Sequence, residues 1–222
     1  MAGSMCDGNV HGLREEIEEK GFVVLSNTLQ NDLIGLATML GELRTDPRSP
    51  EPIRDIRPQS ISVAKPNTLS TRYGTGKFPF HTDTAHWEMP ARYLMLYCVS
   101  AGQGQRPTHL QDTEAWQYPL KMSALSEVWK SGHVRPTLCT VGTIINGKFE
   151  VRFDEACMSP MTGSAEKLKK NVAEQINRSD VIDINWVDGM LLILNNRRSA
   201  PARGSPRRPD PDRLIRRILI GD

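Results

Sequence analysis

Phe80-His81-Thr82-Asp83 sets an imidazole and a carboxylate two residues apart. On an extended backbone, residues i and i+2 project to the same side, so His81 and Asp83 are presented together. An imidazole beside a carboxylate supplies two of the three ligands of a two-histidine-one-carboxylate iron site. His-x-Asp is also common by chance, and a surface turn with a hydrogen-bonded histidine produces the same pattern. Three later blocks bear on that choice. Arg106-Pro107-Thr108 follows a turn containing Gly102 and Gly104 and runs on to Asp112. Trp186-Val187-Asp188-Gly189 leads through an apolar run into Asn195-Asn196-Arg197-Arg198. Arg213, Arg216 and Arg217 lie at the start of and within the last apolar segment.

This order of blocks resembles the taurine dioxygenase/TfdA-like branch of the iron(II)- and 2-oxoglutarate-dependent oxygenases, from about Gly21 onward. The resemblance implies a double-stranded β-helix (jelly-roll) barrel, with His81 and Asp83 as iron ligands and catalytic centre. It implies that Thr108 donates to 2-oxoglutarate and that Arg217 pairs with the distal carboxylate of this co-substrate, a match for the planar guanidinium fork. Arg213 and Arg216 compete for that role; alternation puts Arg213 and Arg217 on one face of the strand, which favours those two. The implied reaction oxidises a C–H bond of a small molecule, such as an amino acid or biosynthetic intermediate. O2 is consumed and 2-oxoglutarate is decarboxylated to succinate. Trp87 and Arg203 are candidate substrate contacts.

One departure from the family pattern stands out. Members read Asn-Arg-Arg-x-x-His-x-Arg, the histidine being the third iron ligand, where this chain has Asn196-Arg197-Arg198-Ser199-Ala200-Pro201-Ala202-Arg203. Proline has no side-chain donor atom. Losing one imidazole costs several kcal/mol of metal binding, judged from ~10–16 kcal/mol for a four-ligand site. Three explanations stay open: a substitute ligand, His86 first and His109 second; water in the vacant position, with 2-oxoglutarate helping to hold the metal; or a degenerate, non-redox relative that binds an organic anion. On the strand carrying Thr108, His109 should face the opposite way. His11 and His133 receive no role, and Trp116, Trp129 and Trp186 read as packing residues.

Composition sets the outer bounds. The chain has 222 residues, 38% hydrophobic and 24% charged, which suits one domain of ordinary size. No apolar run approaches the ~20 residues that span a bilayer. Met1 to Asn9 is small and polar without a secretory pattern; it reads as a disordered or vector-derived tail ahead of a single domain over 10–222. Cys6, Cys98, Cys139 and Cys157 are scattered. That fits free thiols in the reducing cytoplasm better than a zinc or disulfide framework, and leaves no thiol with an evident activator. Net charge is +2, too little for a nucleic-acid binder, and the arginine-rich 197–217 stretch has no aromatic residue to stack on bases. Oligomeric state is not legible.

The elements that must carry these residues are mainly short strands with flanking helices, an α+β pattern that suggests a barrel or sandwich. Helices are expected over 11–20, stopped by Gly21, from Asn31 with a stripe of Leu33, Leu36, Ala37 and Leu40, over 113–130, and over 164–177 with Ser164 as cap. Over 113–130 the inward positions are Ala115, Leu120, Leu125 and Val128. Strands are expected over 22–25, 61–64, 92–99, 181–186, 190–194 and 214–220, with Asn146-Gly147 turning a hairpin inside 137–153. Segment 45–58 reads as a loop, and 204–212 as a stiff exposed loop with solvated charges.

Overall fold

A computed structural model describes residues 7–46, 50–64, 66, 68–132, 135–178 and 180–222. In chain order it contains α1 (Asp7–Lys20), β1 (Phe22–Leu25), α2 (Leu33–Leu40), β2 (Leu43–Arg44), β3 (Ile53–Ile56) and α3 (Leu69–Tyr73). Next come β4 (Tyr93–Ser100), β5 (Thr108–Asp112), α4 (Tyr118–Ser126), β6 (Val128–Ser131), β7 (Thr137–Thr140), β8 (Gly142–Ile145) and β9 (Lys148–Val151). The chain finishes with β10 (Met158–Pro160), α5 (Gly163–Arg178), β11 (Ile182–Ile184), β12 (Leu191–Asn195), β13 (Ser199–Arg203) and β14 (Leu214–Ile220). No helix among the described residues is long and apolar enough to cross a membrane.

The largest sheet is antiparallel in the order β1-β12-β4-β14-β2, with β3 also paired to β14. Its two faces follow from strand alternation. Tyr93, Met95, Tyr97, Leu191, Ile193, Ile218 and Ile220 face outward and bury Ile17 of α1 and Leu33, Leu36, Ala37 and Leu40 of α2. The apolar stripe expected on the second helix is the stripe that is buried. Leu94, Cys98, Leu192, Leu194, Ile215 and Leu219 face inward, against Leu110 and Ile184 of the opposing β11-β5-β13 layer and Trp186 just beyond β11. A third core, around Trp129, Phe149, Phe153, Leu168 and Val172, sits under α4 and α5 beside the sheet β10-β6-β7.

Several expectations change. Segment 45–58 is not all loop: Ile53–Ile56 pairs with β14, because a non-local partner supplies hydrogen bonds that local composition does not announce. Residues 61–63 form a turn and not a strand, with Ile61 60% and Val63 69% exposed. The expected helix over 113–130 breaks into a 3₁₀ turn over Thr113–Ala115, then α4 with Pro119 in its first turn, then β6. Proline cannot continue a helix that arrives from upstream. Burial there follows strand alternation, so Trp129 is inside and Val128 outside, and Ala115 is exposed beside buried Trp116. The cap of α5 is Thr162, whose hydroxyl accepts from Ala165 N–H at 3.0 Å, while the Ser164 hydroxyl turns to Glu127. Asp210 in the 204–212 loop is buried and paired with Arg106 at 2.9 Å. Helix α1 starts at Asp7, inside the stretch read as a tail; residues 1–6 and His133 lie outside the described residues.

Candidate functional site

Residues 78–82 run as an extended strip along β13. Phe78 exchanges backbone hydrogen bonds with Arg203 at 3.1 and 3.2 Å, and His81 N–H donates to Pro201 O at 3.1 Å. On the other side, Thr82 N–H donates to Phe153 O at 2.7 Å, and Phe153 N–H returns a bond to the Thr82 hydroxyl at 2.9 Å. This strip fixes where His81 and Asp83 project. The His81 ring is buried, with Nδ1 3.1 Å from Pro79 O. A carbonyl only accepts, so Nδ1 carries the proton in the neutral ring and Nε2 keeps its lone pair. That Nε2 lies 3.8 Å from Asp83 Oδ1.

Asp83 is held by its backbone. Its N–H donates to Asn196 Oδ1 at 2.8 Å, and Asn196 Nδ2 donates to the carbonyls of Asp83 and Ala91, both at 2.9 Å. The next residue, Thr84, takes φ +58, and its hydroxyl bridges Asp83 O and Ala91 N–H. The carboxylate is free to face inward, where Arg217 Nη1 lies 3.4 Å from each of its oxygens. Arg217 pairs across β14 with Leu96, on the inward face between Ile215 and Leu219. Its Nε is buried without a hydrogen-bond partner among the described residues.

Arg213 goes elsewhere. Its guanidinium lies 5.8 Å over the Trp186 ring and donates weakly to the carbonyls of Ala101 and Arg106, at 3.4 and 3.3 Å. Trp186 Nε1 donates to the Thr108 hydroxyl at 2.9 Å. The structure thus brings Thr108 and Arg213 together around Trp186, and sends Arg217 to Asp83. A register shift between Leu214 and Ile215 separates the two arginines. Arg216 takes the opposite face of β14 and pairs with Asp55 at 3.2 Å.

Charge around Thr108 is unbalanced. Arg106, Arg203 and Arg213 lie close enough to affect one another, with Asp210 as the carboxylate among them. Asp210 is taken by Arg106, whose other donors hold Thr75 O and Gly204 O. Burial, and then the charges of Arg106 and Arg213, push Arg203 down to about 10; burial likewise lowers Arg213. Such a cluster favours an anion beside it. Arg203 itself stacks on Phe78 at 4.3 Å and donates to Gly74 O and Gly76 O, which ties the 74–78 loop to β13.

The proposed third ligands do not join the pair. Among the described residues no group of three His, Cys, Asp or Glu side chains could hold a metal ion. His86 is exposed, its ring edge-on to Trp87 at 6.4 Å. His109 turns away from the Thr108 face and bonds Asp183 at 2.6 Å. Pro201 pairs with Leu110, on the same face of the small sheet as Thr108, with its carbonyl on the His81 backbone. Trp87 is half-buried, with the Arg44 guanidinium 5.7 Å from its ring. Asn196 and Trp186 are the residues whose roles were missed. Both lie inside recognised blocks, but an amide clamp and an indole donor have no spacing signature of their own.

The model of the family described as taurine catabolism dioxygenase TauD, TfdA family matches residues 3–106, which include His81 and Asp83 but end before Thr108 and Pro201. No curated protein matches the chain. Asparagine oxygenase, solved with Fe(II), 2S,3S-3-hydroxyasparagine and succinate, aligns at TM-score 0.72 and 15% identity over 96% of this chain and 78% of its own. The non-heme iron oxygenase OrfP, solved with Fe and alpha-ketoglutaric acid, aligns at 0.75 and 16% over 97% and 80%. PvcB from Pseudomonas aeruginosa aligns at 0.68 and 12% over 98% and 80%. The chain therefore shares the fold of non-heme iron oxygenases, a mixed α+β arrangement of several antiparallel sheets.

Proposed function

We propose that this chain is a TauD/TfdA-family iron(II)- and 2-oxoglutarate-dependent oxidoreductase. It would be built on a double-stranded β-helix and act on a small molecule such as an amino acid or biosynthetic intermediate. The observation that carries the reading is the inward-facing pair of His81 Nε2 and Asp83 Oδ1, 3.8 Å apart. The same inter-sheet layer holds a hydroxyl, Thr108, and Arg213, which shares Asp210 with two other arginines and makes no salt bridge of its own among the described residues.

The donor set fits a metal only in part. His81 and Asp83 give two protein donors, and a chelating 2-oxo acid must supply the rest. Bound in that way, iron(II) would couple decarboxylation of the co-substrate by O2 to oxidation of a substrate C–H bond. The chain's own work is positional. Pro79 O sets the His81 tautomer, and Asn196 fixes the Asp83 backbone. Arg213 and Thr108 take the distal carboxylate, and the apolar walls of Leu94, Leu110, Ile184 and Leu192 exclude water.

Anaerobic titration of iron(II) with 2-oxoglutarate tests this through the visible charge-transfer band of the chelate. Wild type should develop the band, and P201H should develop it at lower iron concentration. A band from P201H with none from wild type would transfer support to the second reading, a non-redox relative that binds an organic anion. Pro201 beside His81 and the Arg217–Asp83 ion pair favour that reading.

A further inference from the structure

Arg203 stands where the arginine cluster meets the loop that leads to His81. It is the register partner of Thr108 across β13 and β5, so the two side chains share one face of the small sheet. The Thr108 hydroxyl accepts from Trp186 Nε1 at 2.9 Å, which leaves its own proton for another acceptor. The Arg203 guanidinium itself is spent on the loop. It donates to Gly76 O at 2.8 Å and Gly74 O at 2.6 Å, and it stacks on the Phe78 ring at 4.3 Å. Arg106 Nη1 adds a bond to Thr75 O at 2.7 Å, so two arginines hold three successive carbonyls. Phe78 then exchanges backbone hydrogen bonds with Arg203, and its ring lies edge-on to His81 at 5.1 Å. This clasp is electrostatically crowded. Asp210, the carboxylate among the three arginines, is engaged by Arg106 Nε and Nη2 at 3.1 and 2.9 Å. Burial, and then the charges of Arg106 and Arg213, disfavour the cationic form of Arg203.

We propose that Arg203 is a positioning residue that couples the anion held by Thr108 and Arg213 to closure of the 74–78 loop, so that co-substrate binding tightens the segment that aims His81. The inference rests on the proposed co-substrate reading. An anion beside Thr108 offsets the charge of Arg213 and so removes part of the repulsion felt by Arg203. The guanidinium then holds the carbonyls of Gly74 and Gly76 more firmly. Coupling between two sites is reciprocal, so the closed loop raises affinity for the anion by the same factor. The role needs an arginine. Its planar fork spans two carbonyls while its face covers an aromatic ring, whereas a lysine ammonium is a point charge on a flexible stem.

The test is amide hydrogen exchange over residues 74–78, which reports local opening, in wild type, R203K and R203M. Each form is measured without ligand and at saturation with 2-oxoglutarate, calorimetry setting the concentration. Thermal melts identify a misfolded variant, and the wild-type comparison needs no variant. Both substitutions leave the backbone bonds between Phe78 and position 203 in place. In wild type, 2-oxoglutarate should slow exchange at Phe78 at least ~5-fold, the lower end of ordinary coupling between sites. R203M should exchange faster than wild type without ligand. In either variant 2-oxoglutarate should change the rate less than ~2-fold, because no fork links the anion to the loop. If wild type binds 2-oxoglutarate while exchange over 74–78 stays the same, the coupling is overturned and the co-substrate reading stands. If both variants slow as wild type does, Arg203 is only a structural tie, and the coupling is overturned in the same way. If wild type binds no 2-oxoglutarate, the co-substrate reading fails and the coupling fails with it.

Discussion

At the scale of single residues, two arginines four positions apart have different work. Arg213 shares Trp186 with Thr108, whereas Arg217 pairs with Asp83. On the proposed co-substrate reading, Arg213→Met should weaken 2-oxoglutarate binding to the metal-free protein by about 10- to 100-fold, the worth of a charge-assisted bidentate contact. Arg217→Met should leave it within a few-fold, as equilibrium dialysis would show; the reverse ranking would return the co-substrate to Arg217. Asp210 makes a second prediction. It is the carboxylate paired with Arg106, both nearly fully buried. Asp210→Ala strands a buried guanidinium and should cost about 3–5 kcal/mol, read as a fall in the urea midpoint.

At the scale of elements, the strip 78–82 matters more than its length suggests, because it joins β13 to the Phe153 segment and so aims His81 and Asp83. The turn from α1 into β1 is similarly constrained. Gly21 has φ +83, and a Cβ there would stand 2.6 Å from Ser199 Oγ, which donates to Gly21 O. Gly21→Ala should destabilise by more than the ~1 kcal/mol of a simple left-handed penalty, since Ser199 must also move. The cap of α5 offers a cleaner comparison. Thr162→Ala should cost about 1 kcal/mol, and Ser164→Ala measurably less; equal losses in thermal melts would refute Thr162 as the cap.

Over the whole molecule, an ionic network links α1 to the sheet. Arg92 bonds Glu18 at 2.8 Å and Glu150 at 2.7 Å, and Arg197 reaches Asp222 at 2.6 Å. Burial alone would raise the Glu18 pKa, but hydrogen bonds from Arg92, Tyr93 and Lys148 outweigh it and hold it below the ordinary glutamate value. A carboxyl whose pKa is lowered by folding adds stability above its unfolded pKa and loses it as pH falls through the folded one. Glu150 is the opposite case: burial raises it against the pull of Arg92 and Arg197, so its share is present at low pH and lost as pH rises through the folded pKa. Glu18→Gln should therefore destabilise at neutral pH, with the penalty fading below about pH 4. A penalty independent of pH in urea melts would show that the charge is irrelevant.

The sequence by itself determined what is local. The i,i+2 pair of His81 and Asp83, the buried stripe of α2, β4, and the Asn146-Gly147 hairpin with positive φ at both residues all depend on a few adjacent side chains. Resemblance added Thr108 and the arginines as site candidates and put Arg217 first for the co-substrate, whereas the structure pairs Arg217 with Asp83. Tertiary structure decided the rest: β3 on β14, Asp210 under Arg106, Pro201 against His81, and the different partners of Arg213 and Arg217. The physical reason is chain distance. Asp83 and Arg217 are 134 positions apart, so no periodicity in either segment encodes their meeting. Sheet register does: it sets Arg217 opposite Leu96 on the inward face of β14, while Arg213 lies just before the strand, across a register shift, beside Trp186.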